Sequence, residues 1–238
     1  MISSVTSPAI GGLVSVVIPV HDQAAYIGEA LASVYGQDVH PLDVIVVDDG
    51  SSDGSLATAQ ARFPAIRAIR QDNAGIGAAR NRGVEAARGE YLAFLDADDR
   101  WPAGSLMRLL AALAELTAPA MAFGHLRHFL CPSLDQESRD RLHCPAGTAP
   151  GYFAGAMLIR LGDFRRVGPF EEDLRVGEFA GWLARARDRG LAQAMVEDVV
   201  LERRIHLANH TLQWRDSFGS YAQMLNRTID RRRSGAES

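Results

Sequence analysis

Apolar positions in the first hundred residues come in short unbroken runs, separated by stretches with helical spacing. Leu13-Val14-Ser15-Val16-Val17-Ile18-Pro19 is almost wholly apolar, as expected of a strand covered on both faces, and Pro19 ends its hydrogen-bonding ladder. Asp43-Val44-Ile45-Val46-Val47 predicts a second strand, 65–70 a third, and Glu90-Tyr91-Leu92-Ala93-Phe94-Leu95 a fourth. Between them the period changes. Ile27, Leu31 and Val34 fall on one stripe of a helix over 24–35. The polar turn 48–54 places Ser52 or Asp53 to cap another helix, and an Ala- and Arg-rich helix is expected over 78–88. A further helix follows Trp101-Pro102, with proline in its first turn and Leu106, Leu109, Leu110, Leu113 and Leu116 on its buried face. Alternation of strand and helix in this way predicts an α/β domain with a parallel, doubly wound sheet.

The second half is less regular. Strands are expected over 120–129, 152–159 and 194–206, and a helix over 176–189, with a long polar connection over 131–149. Phe218, Tyr221, Leu225 and Ile229 mark a last helix over 216–229, followed by Arg231-Arg232-Arg233. The organisation expected is a loose Ser/Pro/Gly-rich segment over 1–12, one domain over 13–228 and a flexible tail over 229–238.

Composition narrows the function classes. Apolar residues make up 47% and charged residues 23%, as in soluble globular proteins. The net charge of −4 argues against general nucleic-acid binding. Every basic residue is an arginine, which excludes lysine Schiff-base chemistry. No apolar stretch reaches the roughly 20 residues of a membrane span, so a cytoplasmic location is expected, with at most peripheral contact through the terminal arginines. Cys131 and Cys144 read as reduced thiols, because zinc would need two further ligands at characteristic spacing.

The fourth strand runs directly into Leu95-Asp96-Ala97-Asp98-Asp99. Ligands of open α/β sheets bind at the carboxyl ends of the strands. Carboxylates crowded there repel one another unless donors or a cation compensate them, so the pattern suits a hard divalent metal with positions open to phosphate oxygens. A solvated acidic turn capping the next helix is the alternative.

Several motifs then occur in order: 15–22, Val46-Val47-Asp48-Asp49-Gly50-Ser51-Ser52-Asp53-Gly54, Ala79-Arg80-Asn81-Arg82-Gly83, and Gly89-Glu90-Tyr91 running into Asp96-Ala97-Asp98-Asp99. Val167-Gly168-Pro169-Phe170 and Arg204-Ile205-His206, with Asn209 and Thr211, follow. Over about 13–211 this ordered set resembles family 2 glycosyltransferases of the GT-A, Rossmann-like fold, with a mostly parallel central sheet flanked by helices. The resemblance implies an enzyme that moves a sugar from a nucleoside diphosphate sugar, UDP-linked above all, to an acceptor hydroxyl with inversion and in a single displacement. It divides the domain into a nucleotide-sugar-binding half over 13–100 and an acceptor half over 101–228.

By the same resemblance Asp98 and His206 hold a divalent cation, Mn²⁺ or Mg²⁺, on the diphosphate, the nitrogen ligand suiting Mn²⁺. Asp96 and Ala97 contact the ribose side, and Asp49 accepts from the base. Pro19, Val20, Asp22 and Asn73 line the nucleotide pocket, although Asp22 stands where the family usually has asparagine. Arg80 is placed as a donor contact, or alternatively as a surface salt bridge. Glu178, in Val176-Gly177-Glu178-Phe179, is placed as the catalytic base. Phenylalanine follows it where many relatives carry a second acid, leaving Glu171, Glu172 and Asp173 as other candidates. Trp182 reads as a core aromatic or as a face for an acceptor sugar. Two other readings stay open: a sugar-nucleotide pyrophosphorylase, and a degenerate module that binds a nucleotide sugar or a partner without turnover. A glycoside hydrolase fits the acidic cluster poorly.

Overall fold

The computed structural model describes residues 12–117, 119–207, 209 and 218–235. All but the last residue of the loose N-terminal segment lies outside them, as does Thr211. Strands β1 (Val14–Val20), β2 (Leu42–Asp49), β3 (Arg67–Gln71) and β4 (Tyr91–Phe94) pair in parallel in the order 3-2-1-4. Helices α1 (Ile27–Tyr35), α2 (Ser55–Arg62) and α3 (Ile76–Ala86) connect them. Helix α4 (Ser105–Ala114) leads to the long β5 (Ala120–Leu130), then α5 (Gln136–Arg141), β6 (Thr148–Pro150), β7 (Met157–Arg160) and α6 (Leu161–Val167). Helix α7 (Glu178–Asp188), β8 (Ala192–Ile205) and α8 (Phe218–Gly235) complete the chain.

The strands form one eight-stranded mixed sheet, β3-β2-β1-β4-β7-β5-β6, with β8 also on β5. Only β6 and β7 run against the others. β5 offers Met121–Phe123 to β7 and His125–Arg127 to β6, and pairs with β8 along its length.

Alternation along the buried strands sorts the core into two layers. Val14, Val16, Ile18, Val44 and Val46 pack with α1 and α4, whereas Val17, Ile45 and Val47 pack with α3, α6 and α7. Helix α3 lies so close to the sheet that a Cβ on Gly83 would meet Val17 Cγ1 at 2.2 Å. Trp182 is fully buried, stacked on Phe164 with centroids 4.9 Å apart, and its indole N–H donates to Gly168 O. It is a core aromatic and no sugar face.

One polar group interrupts the core of β1. Ser15 Oγ donates to Asp43 Oδ2 at 2.8 Å and accepts from the Gly89 N–H, while Arg67 reaches Asp43 Oδ1 at 2.9 Å. Burial raises the Asp43 carboxyl, but Arg67, Ser15 and the Arg88 N–H outweigh it, and the net shift is downward. A carboxyl lowered on folding adds stability above its unfolded value and loses it as pH falls through the folded one. Asp43→Asn is therefore expected to cost about 1–2 kcal/mol at neutral pH. That deficit should shrink below about pH 4, as read by urea unfolding across pH. A pH-independent deficit would contradict the assignment.

Several boundaries differ from those expected. Pro102 precedes α4, which starts at Ser105 after Gly104 in the left-handed region (φ +76). Strand β7 is shorter than 152–159, because Ala154–Ala156 make a 3₁₀ turn first. The polar connection contains α5 and β6. The last helix continues to Gly235, where Arg231 and Arg232 pair with Asp188. Cys131 and Cys144 are both free thiols.

Candidate active site

A cleft of about 470 Å³ opens at the carboxyl ends of β1, β2 and β4, where the order reverses about β1. Nine expected site residues line it: Pro19, Val20, Asp49, Asn73, Arg80, Asp96, Ala97, Asp98 and Glu178. Asp22 and His206 are not among its lining residues.

Asp22 faces the neighbouring turn instead. Its backbone is left-handed at φ +50, a conformation that short polar side chains tolerate. Its Oδ1 accepts the N–H groups of Ser52 and Asp53, and its own N–H donates to Ser51 Oγ. Asp53 returns the tie by accepting from the Ala24 and Ser55 N–H groups. Only an acceptor is needed here, so aspartate serves in place of asparagine.

Asp49 is buried and builds the entry to α3. Oδ1 accepts from Gln71 Nε2 and the Ala74 N–H, and Oδ2 from the Gly75 N–H, all at 2.8–2.9 Å. A carboxylate has about four lone-pair sites, so one remains for a ligand. His21 Nδ1 lies 2.8 Å from the Asp49 carbonyl, which only accepts; Nδ1 therefore carries the proton and Nε2 accepts from Asn73 Nδ2 at 3.2 Å.

Helix α3 explains the motif 79–83. Arg80 is 3% exposed, is no surface salt bridge, and reaches Asp96 at 2.7 Å and Glu178 at 2.5 Å. Its Nε has no partner among the described residues. Asn81 pins the loop before α7, donating to Phe170 O and Glu172 Oε1 and accepting the Phe170 N–H. Gly77 lies under that loop, where a Cβ would meet Glu171 O at 2.8 Å.

Glu178 is the first residue of α7, launched by Gly177 in the left-handed region (φ +88), so it also complements the helix dipole. The other candidate bases are engaged elsewhere: Glu171 with Arg185, Glu172 with Asn81, and Asp173 with Arg227. None of the three lines the cleft. Phe179 lines the cleft and packs on Phe170 and Trp182.

Asp98 is held from behind. His206 Nε2 lies 3.0 Å and Asn209 Nδ2 3.3 Å from Asp98 Oδ2, and the His206 ring packs on Tyr26 at 4.6 Å. Arg204, absent from the expected site, donates through Nε to Asp98 O and through its backbone N–H to Asp99 Oδ1, and pairs with Glu29. Burial first, then the Asp98 charge, push the Asp99 carboxyl well above the ordinary range. Tyr152, Phe153 and Arg203 also line the cleft without having been singled out.

Asp98 Oδ2 and His206 Nε2 stand 3.0 Å apart. Two neighbouring ligands at about 2.1 Å from an octahedral ion are separated by about that much. No group of three or more His, Cys, Asp or Glu side chains able to hold a metal occurs among the described residues. An ion here would take its other ligands from a bound molecule and water.

Comparison with known proteins bears on the family and the fold. The family described as Glycosyl transferase family 2 matches residues 15–166. The uncharacterized glycosyltransferase EpsJ of Bacillus subtilis is 38% identical over 100 residues, 41% of this chain and 29% of that protein. S. aureus TarS 1-349 in complex with UDP-GlcNAc superposes with a TM-score of 0.65 at 19% identity, covering 84% of this chain and 60% of that one. The mannosyltransferase PcManGT of Pyrobaculum calidifontis, in complex with GDP-Man and Mn2+, gives 0.61 at 23% identity, covering 92% and 63%. The chain spans 26–31% of the length of four curated relatives it matches, EpsJ among them. Among the described residues no helix is long and apolar enough to cross a membrane. With the matched family covering more than half its length and the fold that of GT-A glycosyltransferase structures, the chain belongs to glycosyltransferase family 2.

Proposed function

We propose that the chain transfers a sugar from a UDP-sugar to an acceptor hydroxyl, with inversion and in one displacement. The observation that carries this is one cleft lined by Asp49, Asp96, Asp98 and Glu178, with Arg80 tying Asp96 to Glu178. Asp49 uses its remaining lone pair for the N3–H of uracil. Asp96, whose side chain is 30% exposed, accepts from the ribose through the oxygen turned away from Arg80. Asp98 and His206 would hold Mn²⁺ or Mg²⁺, which would supply positive charge against the diphosphate. Glu178 takes the proton of the acceptor hydroxyl as the oxygen attacks the anomeric carbon from the face opposite the diphosphate. Inversion follows from that single attack.

Calorimetric titration of UDP, with and without Mn²⁺, tests the donor side. Metal-dependent binding is expected, weakened at least about tenfold in Asp98→Ala, the equivalent of 1.4 kcal/mol. GDP binding in place of UDP would change the donor, and no binding of any nucleotide would sink the reading. A nucleotide-sugar-binding module without turnover is the second reading, favoured by the salt bridge that occupies Glu178. A pyrophosphorylase is disfavoured because β1 ends in Pro19-Val20 and runs into His21-Asp22, without the glycine-rich basic loop that a triphosphate needs.

A further inference from the structure

Five large apolar side chains stand well out to solvent among the described residues: Tyr152, Phe153, Leu207, Leu225 and Ile229. Two of them are adjacent in sequence, and those two line the cleft, Tyr152 44% and Phe153 41% exposed. Aromatic faces grouped on the wall of a cleft mark a place where a ligand is covered. They come from the connection between β6 and β7, whereas the nucleotide residues come from β1, β2, α3 and its entry, and the turn after β4. Their neighbours lie towards the base. Tyr152 packs edge-on against Phe123 at 5.3 Å, and Phe123 packs at 6.4 Å against Phe179, the residue after Glu178.

Each exposed ring also has a guanidinium over it. Arg203 lies 4.4 Å from the Phe153 centroid and Arg187 5.0 Å from that of Tyr152. A flat apolar face suits the C–H face of a saturated sugar ring, and a guanidinium fork suits a carboxylate or phosphate. Arg203 lies 3.7 Å from Asp99 Oδ2 and Arg187 donates to Gln193 Oε1, each through one nitrogen, and the rest of each fork would meet no acceptor in an uncharged lipid chain.

We infer that Tyr152 and Phe153, flanked by Arg203 and Arg187, form the acceptor subsite, and that the acceptor is an anionic sugar, either a uronate or a sugar phosphate. The inference rests on the transfer reading above.

Saturation-transfer NMR on the full chain, with UDP and Mn²⁺ present, tests it using methyl β-glucoside, methyl β-glucuronide and glucose 6-phosphate. At least one anionic sugar is expected to bind about three- to fivefold tighter than the neutral glucoside, the scale of a part-exposed ion pair. Which of the two does so separates carboxylate from phosphate. The double variant Tyr152→Ala/Phe153→Ala should weaken that binding about tenfold, the equivalent of 1.4 kcal/mol. Arg187→Gln should reduce the preference for charge, with Arg203 keeping the remainder. UDP calorimetry on each variant reports whether fold and donor site are intact. Equal affinity for neutral and anionic sugars, unchanged affinity in the double variant, or UDP binding with none of the three sugars bound would overturn the subsite. Failure of UDP to bind the parent chain would instead overturn the transfer reading, and the subsite with it.

Discussion

Glu178→Gln is expected to lower turnover by about two to four orders of magnitude, the usual contribution of a positioned general base, while leaving UDP affinity within a factor of about two. The asymmetry follows from position. Glu178 faces the cleft from α7, whereas the nucleotide residues come from β1, β2, α3 and its entry, and the turn after β4. Glutamine keeps the shape and can still accept from Arg80 Nη1, which lies 2.5 Å from the present carboxylate, but it takes no proton. Release of UDP in the presence of acceptor reads the first effect and calorimetry the second. Retained turnover would move the base elsewhere. A variant that lost UDP binding as well would make Glu178 structural. A parent chain that binds UDP-sugar and releases no UDP with any acceptor would favour the binding module.

Arg80→Ala is expected to cost about 3 kcal/mol of stability, near the low end for breaking a buried ion pair. The low end applies because Asp96 keeps 30% of its side chain in contact with solvent and can rehydrate, whereas Glu178 keeps 10%. Burial lowers the Arg80 pKa, but the charges and hydrogen bonds of the two carboxylates more than restore it, and the net shift is upward. Removing this cation leaves the Asp96 and Glu178 carboxylates without their shared partner in the cleft, so on the transfer reading donor affinity should fall with stability. Arg80→Lys keeps the charge without the planar fork and should restore only part of either. Urea unfolding and UDP titration of both variants check this, and a loss below about 1 kcal/mol in Arg80→Ala would contradict it.

The parallel half was legible in the sequence because its strands are covered on both faces, and such strands need continuous apolar runs. The second half was less so, for physical reasons that differ by element. Helices α5 and α6 are six and seven residues long, too short for a periodic stripe to show. Pro102 signals a helix start, but Gly104 in the left-handed region resets the chain, and the Leu106 N–H finds Gln37 Oε1 instead. Tyr152 and Phe153 carry the aromatic bias of a strand, and nothing local distinguishes a buried ladder from rings facing a cleft.

Among the site residues, the carboxylates Asp49, Asp96, Asp98 and Glu178 could be named from their motifs. The depth of Arg80 could not, since its partners lie 16 and 98 residues away. Arg204 behaves in the same way: its contacts with Asp98 and Asp99 span 106 and 105 residues.

The divided edge of β5 separates what the enzyme holds from what it admits. The excursion after Leu130 rejoins the sheet at Thr148–Pro150, on the outer stretch of β5, while β7 occupies the inner stretch next to β4 and the acidic cluster. Cys131 is tied to the acidic cluster, its thiol lying against Arg204 and Tyr26, but residues 140–147 can lengthen, shorten or change sequence without touching Asp96, Asp98 or Glu178. The segment they feed into is the one that presents Tyr152 and Phe153. If Tyr152 and Phe153 receive the acceptor as proposed, a chain built this way can exchange one acceptor for another by editing a surface excursion, with its nucleotide cleft left untouched.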